Sequence, residues 1–140
     1  LGVVLVDYLG LLAPTYPKAN SEQNTSHASR ELRAMWAELN VPGVVLCQLN
    51  RGVESRSDKR PTPADLRDSG AVEQDADVIV FIYRDEVYDE NTADRGVAEL
   101  IVAKQRKGPI GKVRCAFVAE QVRFDNLAET VREPDRGSYY

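Results

Sequence analysis

Polar side chains stand where apolar runs stop in three places. Asp7 follows VVLV (3–6), Gln48 follows VVLC (44–47), and Lys104 and Arg106 follow VAELIVA (97–103). A carboxylate at a strand end can hold Mg²⁺ through the ion's waters, because Mg²⁺ sheds water reluctantly and is commonly bound by one or two carboxylates. A neutral amide on a neighbouring edge can hydrogen-bond a terminal phosphate or the water that attacks it. An apolar run ending in Asp is equally an ordinary strand with a polar last residue, so Asp7 alone decides nothing. Residues two apart on a strand face one way, which would project Lys104 and Arg106 together if the strand runs that far. An Arg fork beside a Lys point charge suits a phosphate bearing several negative charges. An arginine finger meeting a transferred phosphoryl group contributes about 10³ to 10⁵ in rate. The same spacing also fits a solvated turn. The phosphate-cradling loop G-x-x-x-x-G-K-[ST] does not occur in these 140 residues, so an ATP site would be incomplete.

The segment 50–77 is long for a connection inside a compact domain, with a short helical stretch expected near 63–68; such loops are usually functional or disordered. Between residues 51 and 68 its cations (Arg51, Arg56, Lys59, Arg60, Arg67) barely outnumber its acids (Glu54, Asp58, Asp65, Asp68). Arg67 could contact a phosphate, and Gly70 would let a backbone N–H approach a ligand closely. No row of aromatics offers a stacking platform for bases, so any nucleic acid would be gripped by its backbone. Arg84, at the end of VIVFI (78–82), has a place on a sheet edge from which it could reach a nucleotide. The run 83–96 around it is acidic and turn-rich, as an exposed connection would be. The single His27 is given no role, and two Cys with one His are too few and too scattered for a zinc site.

These residues need elements to position them. A 140-residue chain with 43% hydrophobic content has room for one domain with a core. No apolar run approaches the roughly 18 residues of a membrane helix, and nothing resembles a signal peptide. Cys47 and Cys115 each sit in an apolar run, where a free thiol behaves as a small hydrophobe. That points to no disulfide and a reducing, cytoplasmic compartment. The net charge of −4 excludes attraction to nucleic acid by overall field, leaving only local contacts. Residues 3–6, 43–46 and 78–82 are apolar on both faces, which predicts central strands of a parallel sheet covered on both sides. Ala28, Leu32, Met35, Trp36 and Leu39 fall on one helical face between the first two, with Asn20 and Gln23 as a cap and Pro42 as a stop. Residues 97–103 and 113–118, joined through Gly108, Pro109 and Gly111, predict antiparallel strands, and 121–124 a third. The chain opens without Met in the middle of a strand pattern, as a piece of a longer chain would. Residues 127–140 are polar and aperiodic, the pattern of a flexible tail.

Taken in order, VVLVDYLGLL, ASRELRAMWAELNVPGVVLCQLNRGVESRSDKRPTPADLRDSGAVEQDADVIVFIYRDEVY, AELIVAKQRKGPIGKV and RFDN resemble the motor domain of bacterial replicative DNA helicases of the DnaB type, over about residues 3–126. The resemblance implies the second half of a RecA-like P-loop NTPase core, an α/β fold whose parallel central strands are extended by antiparallel ones. It implies a homo-hexameric ring with ATP and Mg²⁺ at each subunit boundary, moving on single-stranded DNA, with a helicase loader and primase as further partners. Asp7 looks like the Walker B magnesium residue, and Gln48 like the γ-phosphate sensor. Lys104 and Arg106 look like the pair inserted into the neighbouring subunit's site. Arg67, Asp68 and Gly70 match the loop that holds DNA. The Walker A loop, the catalytic glutamate and the family's amino-terminal domain would lie before Leu1, which would leave the fragment alone inactive. Cys47 stands where Ser is common, Asp68 where Glu is, and Lys107 and Ile110 where Asn and Thr are; the shorter Asp68 carboxylate puts its contact in doubt. The alternatives are another RecA-like ATPase of recombination or signalling, and a non-catalytic module for assembly or DNA binding.

Overall fold

The computed structural model describes residues 2–12 and 20–127, and for 21 and 67–70 the backbone alone. All but the first residue of the expected tail lies outside the described residues.

Strands β1 (Val4–Val6) and β2 (Gly43–Val45) pair in parallel, Val4 opposite Gly43 and Val6 opposite Val45. The pairing continues past both strands, since Leu46 N–H donates to the Val6 carbonyl (3.0 Å) and Leu9 N–H to the Leu46 carbonyl (2.9 Å). The chain therefore leaves β1 and β2 side by side. Helix α1 (Ser21–Leu39) joins them. The Asn20 side chain accepts from Gln23 N–H (2.8 Å) and the Gln23 side chain accepts from Asn20 N–H (3.2 Å), a reciprocal cap satisfying two of the helix's unpaired donors. Asn40, in the left-handed conformation, closes the other end before Pro42. Ala28, Leu32 and Trp36 are half-buried as the stripe requires, but Met35 and Leu39 are exposed at 38% and 48%, not core. The reason is geometric: α1 packs on β2, on residues 63–69 and on helix α2 (Gly70–Asp75), which meet only one margin of a wide stripe. Trp36 lies so close to Gly43 that a Cβ there would fall inside the indole.

A second sheet has the order β3 (Val78–Tyr83), β4 (Val97–Gln105), β5 (Gly111–Val118), β6 (Arg123–Asp125), each neighbouring pair antiparallel. The hairpin and third strand expected from the sequence are thus present. The expectation for VIVFI is corrected: among the described residues β3 pairs only with β4, antiparallel, and alternates in burial. Ile79, Phe81 and Tyr83 are buried, and Ile79 and Phe81 form a cluster with Leu66 on which Cys47, Leu49, Ala76, Ile101 and Ala103 pack. Val78, Val80 and Ile82 are about half exposed, as are Val44 and Leu46 of the parallel pair, with Leu5 more so. These strands are apolar on two faces and covered on one.

The β3–β4 ladder contains one irregularity. Val80 opposes Val102, but Ile79 opposes Lys104, so Ala103 and Lys104 both stand across from Ile79 in a bulge. Strict alternation from Ile101 and Ala103 would put Gln105 on the packed face, with Lys104 and Arg106 on the open one. The extra residue re-aims both cations to the side of Ile79.

Candidate functional site

Asp7 is the first residue after β1, exposed, with a cis peptide bond to Tyr8. Gln48 leaves β2 alongside it. A cavity of about 190 Å³ opens there, lined by Tyr8, Gly10, Thr25, Gln48, Asn50 and Asp65 among others; Gln48 lines it, and Asp7 adjoins it through Tyr8. Neither the Asp7 carboxylate nor the Gln48 amide has a hydrogen-bond or ion-pair partner among the described residues. An uncommitted carboxylate beside a polar recess fits Mg²⁺ held through water, and no cluster of three or more His, Cys, Asp or Glu among the described residues offers a direct cage.

Lys104 and Arg106 are brought together, but not at that cavity. Lys104 Nζ donates to the Glu73 carbonyl and to the Gln74 carbonyl (3.3 Å), and Arg106 Nη2 donates to the same Gln74 carbonyl (2.8 Å). The acceptors belong to the last turn of α2, where carbonyls lack intrahelical partners and cations are favoured. Arg106 N–H extends the ladder to the Asp77 carbonyl (3.0 Å), and Arg106 Nε lies 3.2 Å from the Asp77 carboxylate.

Arg67 and Asp68 fall in the 3-10 segment Pro63–Ser69, kinked at Leu66, and Gly70 is the first residue of α2; the side chains of 67–70 lie outside what the structure describes. Leu66 and Val72 are buried on either side, so the segment is fixed at both ends. The helical stretch expected near 63–68 is present. Helix α2 escapes a reading of the sequence, since six residues carry too little periodicity.

Residues outside the sequence-derived candidates hold this loop in place. Asp65, 8% exposed, accepts from Thr62 N–H (2.7 Å), Thr62 Oγ1 (3.0 Å) and Arg56 Nη2 (2.9 Å), while its carbonyl accepts from Asn50 N–H (3.0 Å). Burial pushes the Asp65 carboxyl up, but the Thr62 and Arg56 hydrogen bonds outweigh it and hold the group below its usual range. Arg60 forks onto Glu99 with bonds of 2.8 and 2.7 Å and lies over the Tyr83 ring at 4.6 Å. Those Arg60 bonds hold the Glu99 carboxyl below its ordinary value against the opposing effect of burial. Burial and the Asp85 hydrogen bond push the Tyr83 hydroxyl up to about 12. The partners are 39 residues apart along the chain, which is why spacing could not pair them. Arg84 is committed to Glu86 (3.0 and 2.6 Å) and lies 3.9 Å from the Phe117 centroid, so it does not line the cavity.

A carboxylate whose pKa is lower folded than unfolded stabilises the fold above the unfolded value, and that stability is lost as pH falls through the folded one. Protection of the 56–66 amides from hydrogen exchange should therefore hold from about pH 7 to the ordinary carboxylate range near about 4, then fall below it. Glu99→Gln should lose part of that protection already at neutral pH. Protection unchanged down to about pH 3 in both proteins would remove these carboxylates from the role.

Set beside known proteins, residues 1–126 match the family model of the DnaB-like helicase C terminal domain. The replicative DNA helicase DnaB of Pasteurella multocida is 55% identical over 129 residues, 92% of this chain and 28% of that protein. The replicative DNA helicase DnaC of Bacillus subtilis is 50% identical over 128 residues, 91% of this chain and 28% of that protein. Among solved structures, an ATPase domain superimposes with a TM-score of 0.86 at 46% identity, over 90% of this chain and 44% of that one. A DnaB-like replicative helicase, studied with its interactions with primase, gives a TM-score of 0.86 at 46% identity over 90% of this chain and 30% of its own.

Proposed function

We propose, from the premise that this chain belongs to the DnaB-like helicase C-terminal domain family and has its RecA-like fold, that it is the carboxyl-terminal portion of the ATP-driven motor of a replicative DNA helicase. The chain spans 28% of the length of the curated relatives it matches, so the activity proposed is that of the complete protein.

The observation that carries the reading is the division of the site. Asp7 and Gln48 follow the same end of the parallel pair with no side-chain partner among the described residues, while Lys104 and Arg106 stand together on another edge. A site divided in this way is completed by a second copy, and a head-to-tail contact of this kind closes into a ring, here a homo-hexamer. ATP would supply the phosphoryl group whose transfer to water drives the motor, and Mg²⁺ would neutralise its phosphate charge. Asp7 would hold the Mg²⁺ through the ion's waters. Gln48 hydrogen-bonds the terminal phosphate or orients the attacking water. Lys104 and Arg106 reach across the boundary and neutralise charge that develops there. Arg67, Asp68 and Gly70 hold the single strand, and residues 1–126 form the motor portion with 127–140 as a tail. Primase and a helicase loader are the further partners. Among the described residues no helix is long and apolar enough to cross a membrane, and a cytoplasmic place accords with Cys47 and Cys115 forming no disulfide.

The test is unwinding of a forked duplex by the complete protein with ATP and Mg²⁺. Strand separation that needs hydrolysis is the expected result. Strand exchange without unwinding would replace this reading with a recombination ATPase.

A further inference from the structure

We infer that Asp77 is a positioning residue for the Arg106 guanidinium, fixing which of its edges is presented to the neighbouring subunit's phosphate; this rests on the trans-acting role proposed for Arg106.

A guanidinium has two edges that can take an oxyanion in a fork: the side edge of Nε and Nη2, and the end edge of Nη1 and Nη2. In Arg106 the side edge is turned toward protein groups, by an ion pair at Nε and a hydrogen bond at Nη2. Nε lies 3.2 Å from the Asp77 carboxylate, and Nη2 donates to the Gln74 carbonyl at 2.8 Å. Nη1 makes no hydrogen bond among the described residues, and the Arg106 side chain is 43% exposed, which leaves the end edge uncommitted. Asp77 also fixes the base of the side chain, because its carbonyl accepts the Arg106 N–H at 3.0 Å one step beyond the pairing of Val78 with Gln105. One residue thus holds Arg106 at its backbone and at its Nε.

This arrangement has a chemical use. A free arginine samples many rotamers and loses that freedom when it is held in one orientation. A finger that must enter another subunit's site gains rate if its planar fork is already oriented. The Asp77 side chain is 74% exposed, so its carboxylate orients Arg106 without being a buried charge of its own. Glu73, Gln74 and Lys104 are the other groups around the guanidinium, and they contribute carbonyls and a cation rather than a second carboxylate within ion-pair distance of it.

The experiment compares Asp77→Ala, Asp77→Glu and Arg106→Ala in the complete protein, reading kcat and KM for ATP with thermal midpoints as a check on folding. An exposed pair of this kind supports roughly a two- to fivefold effect. Asp77→Ala should therefore lower kcat by about that factor with KM unchanged, and Asp77→Glu, whose longer carboxylate still reaches Nε, should restore most of it. Wild-type or raised kcat in Asp77→Ala, beside an inactive Arg106→Ala, would overturn the inference and leave the trans-acting role standing. A fall in kcat that Asp77→Glu does not restore would also overturn it. Full activity in Arg106→Ala would overturn the proposed function itself.

Discussion

Arg106→Ala in the complete protein is expected to lower ATP hydrolysis about 10³- to 10⁵-fold, the range by which an arginine finger accelerates phosphoryl transfer. Nucleotide affinity should change little, because in the proposed arrangement the phosphate cradle and the Asp7 rim belong to the other subunit. The loss should be curable in a specific way. Mixing Arg106→Ala protein with Asp7→Ala protein, each inactive alone, makes boundaries where an intact Asp7 rim meets an intact Arg106. Random mixing in equal amounts makes such boundaries roughly a quarter of the total if the contacts are head-to-tail. Recovered hydrolysis near that fraction of wild type is the expected reading. No recovery in rings shown to contain both proteins would place Arg106 outside its neighbour's site.

The second large effect is structural. Gly43→Val should destabilise the packing of α1 on β2 by about 3 kcal/mol, the upper part of the range for overfilling a packed interior. The Cβ would occupy the place of the Trp36 indole, so the ring must leave or the strand must move. Hydrogen-exchange protection across residues 36–46 of the complete protein measures the cost locally. Trp36→Leu, which vacates that space at its own expense, should make the Gly43 change far less harmful than the sum of the two alone, since residues in contact are not additive. Strict additivity would show that the two do not compete for one volume.

Much of this molecule is legible in its residues. The cap of α1 follows from Asn20 and Gln23 at their spacing, and the parallel pair from two short apolar runs flanking a helix. Asp7 and Gln48 come at the same end of the pair because parallel strands run the same way. What escapes such a reading has physical causes. The pairing of Lys104 with Arg106 follows from alternation, but the face they take does not, because the single extra residue at Ala103 leaves no trace in composition. Val78, Val80 and Ile82 carry the signature of a strand covered twice, yet periodicity reports which faces are apolar and not what lies over them. The forks of Arg60 on Glu99 and of Arg56 on Asp65 depend on tertiary proximity alone, and the loop they hold reads locally as a mixture of charges.

The short helix that ends beneath the two cations begins at Gly70. Its six residues measure about 9 Å, less than two turns, with no joint in between. In the arrangement proposed above, the carbonyls of Glu73 and Gln74 keep those donors while the open end of the Arg106 fork meets the phosphate, so that end of the rod stays tied to the cations. Residue 70 sits at the opposite tip of the same rod, so the segment proposed to hold the strand and the cations proposed to meet the phosphate are joined through a single short helix, without a longer relay through the core.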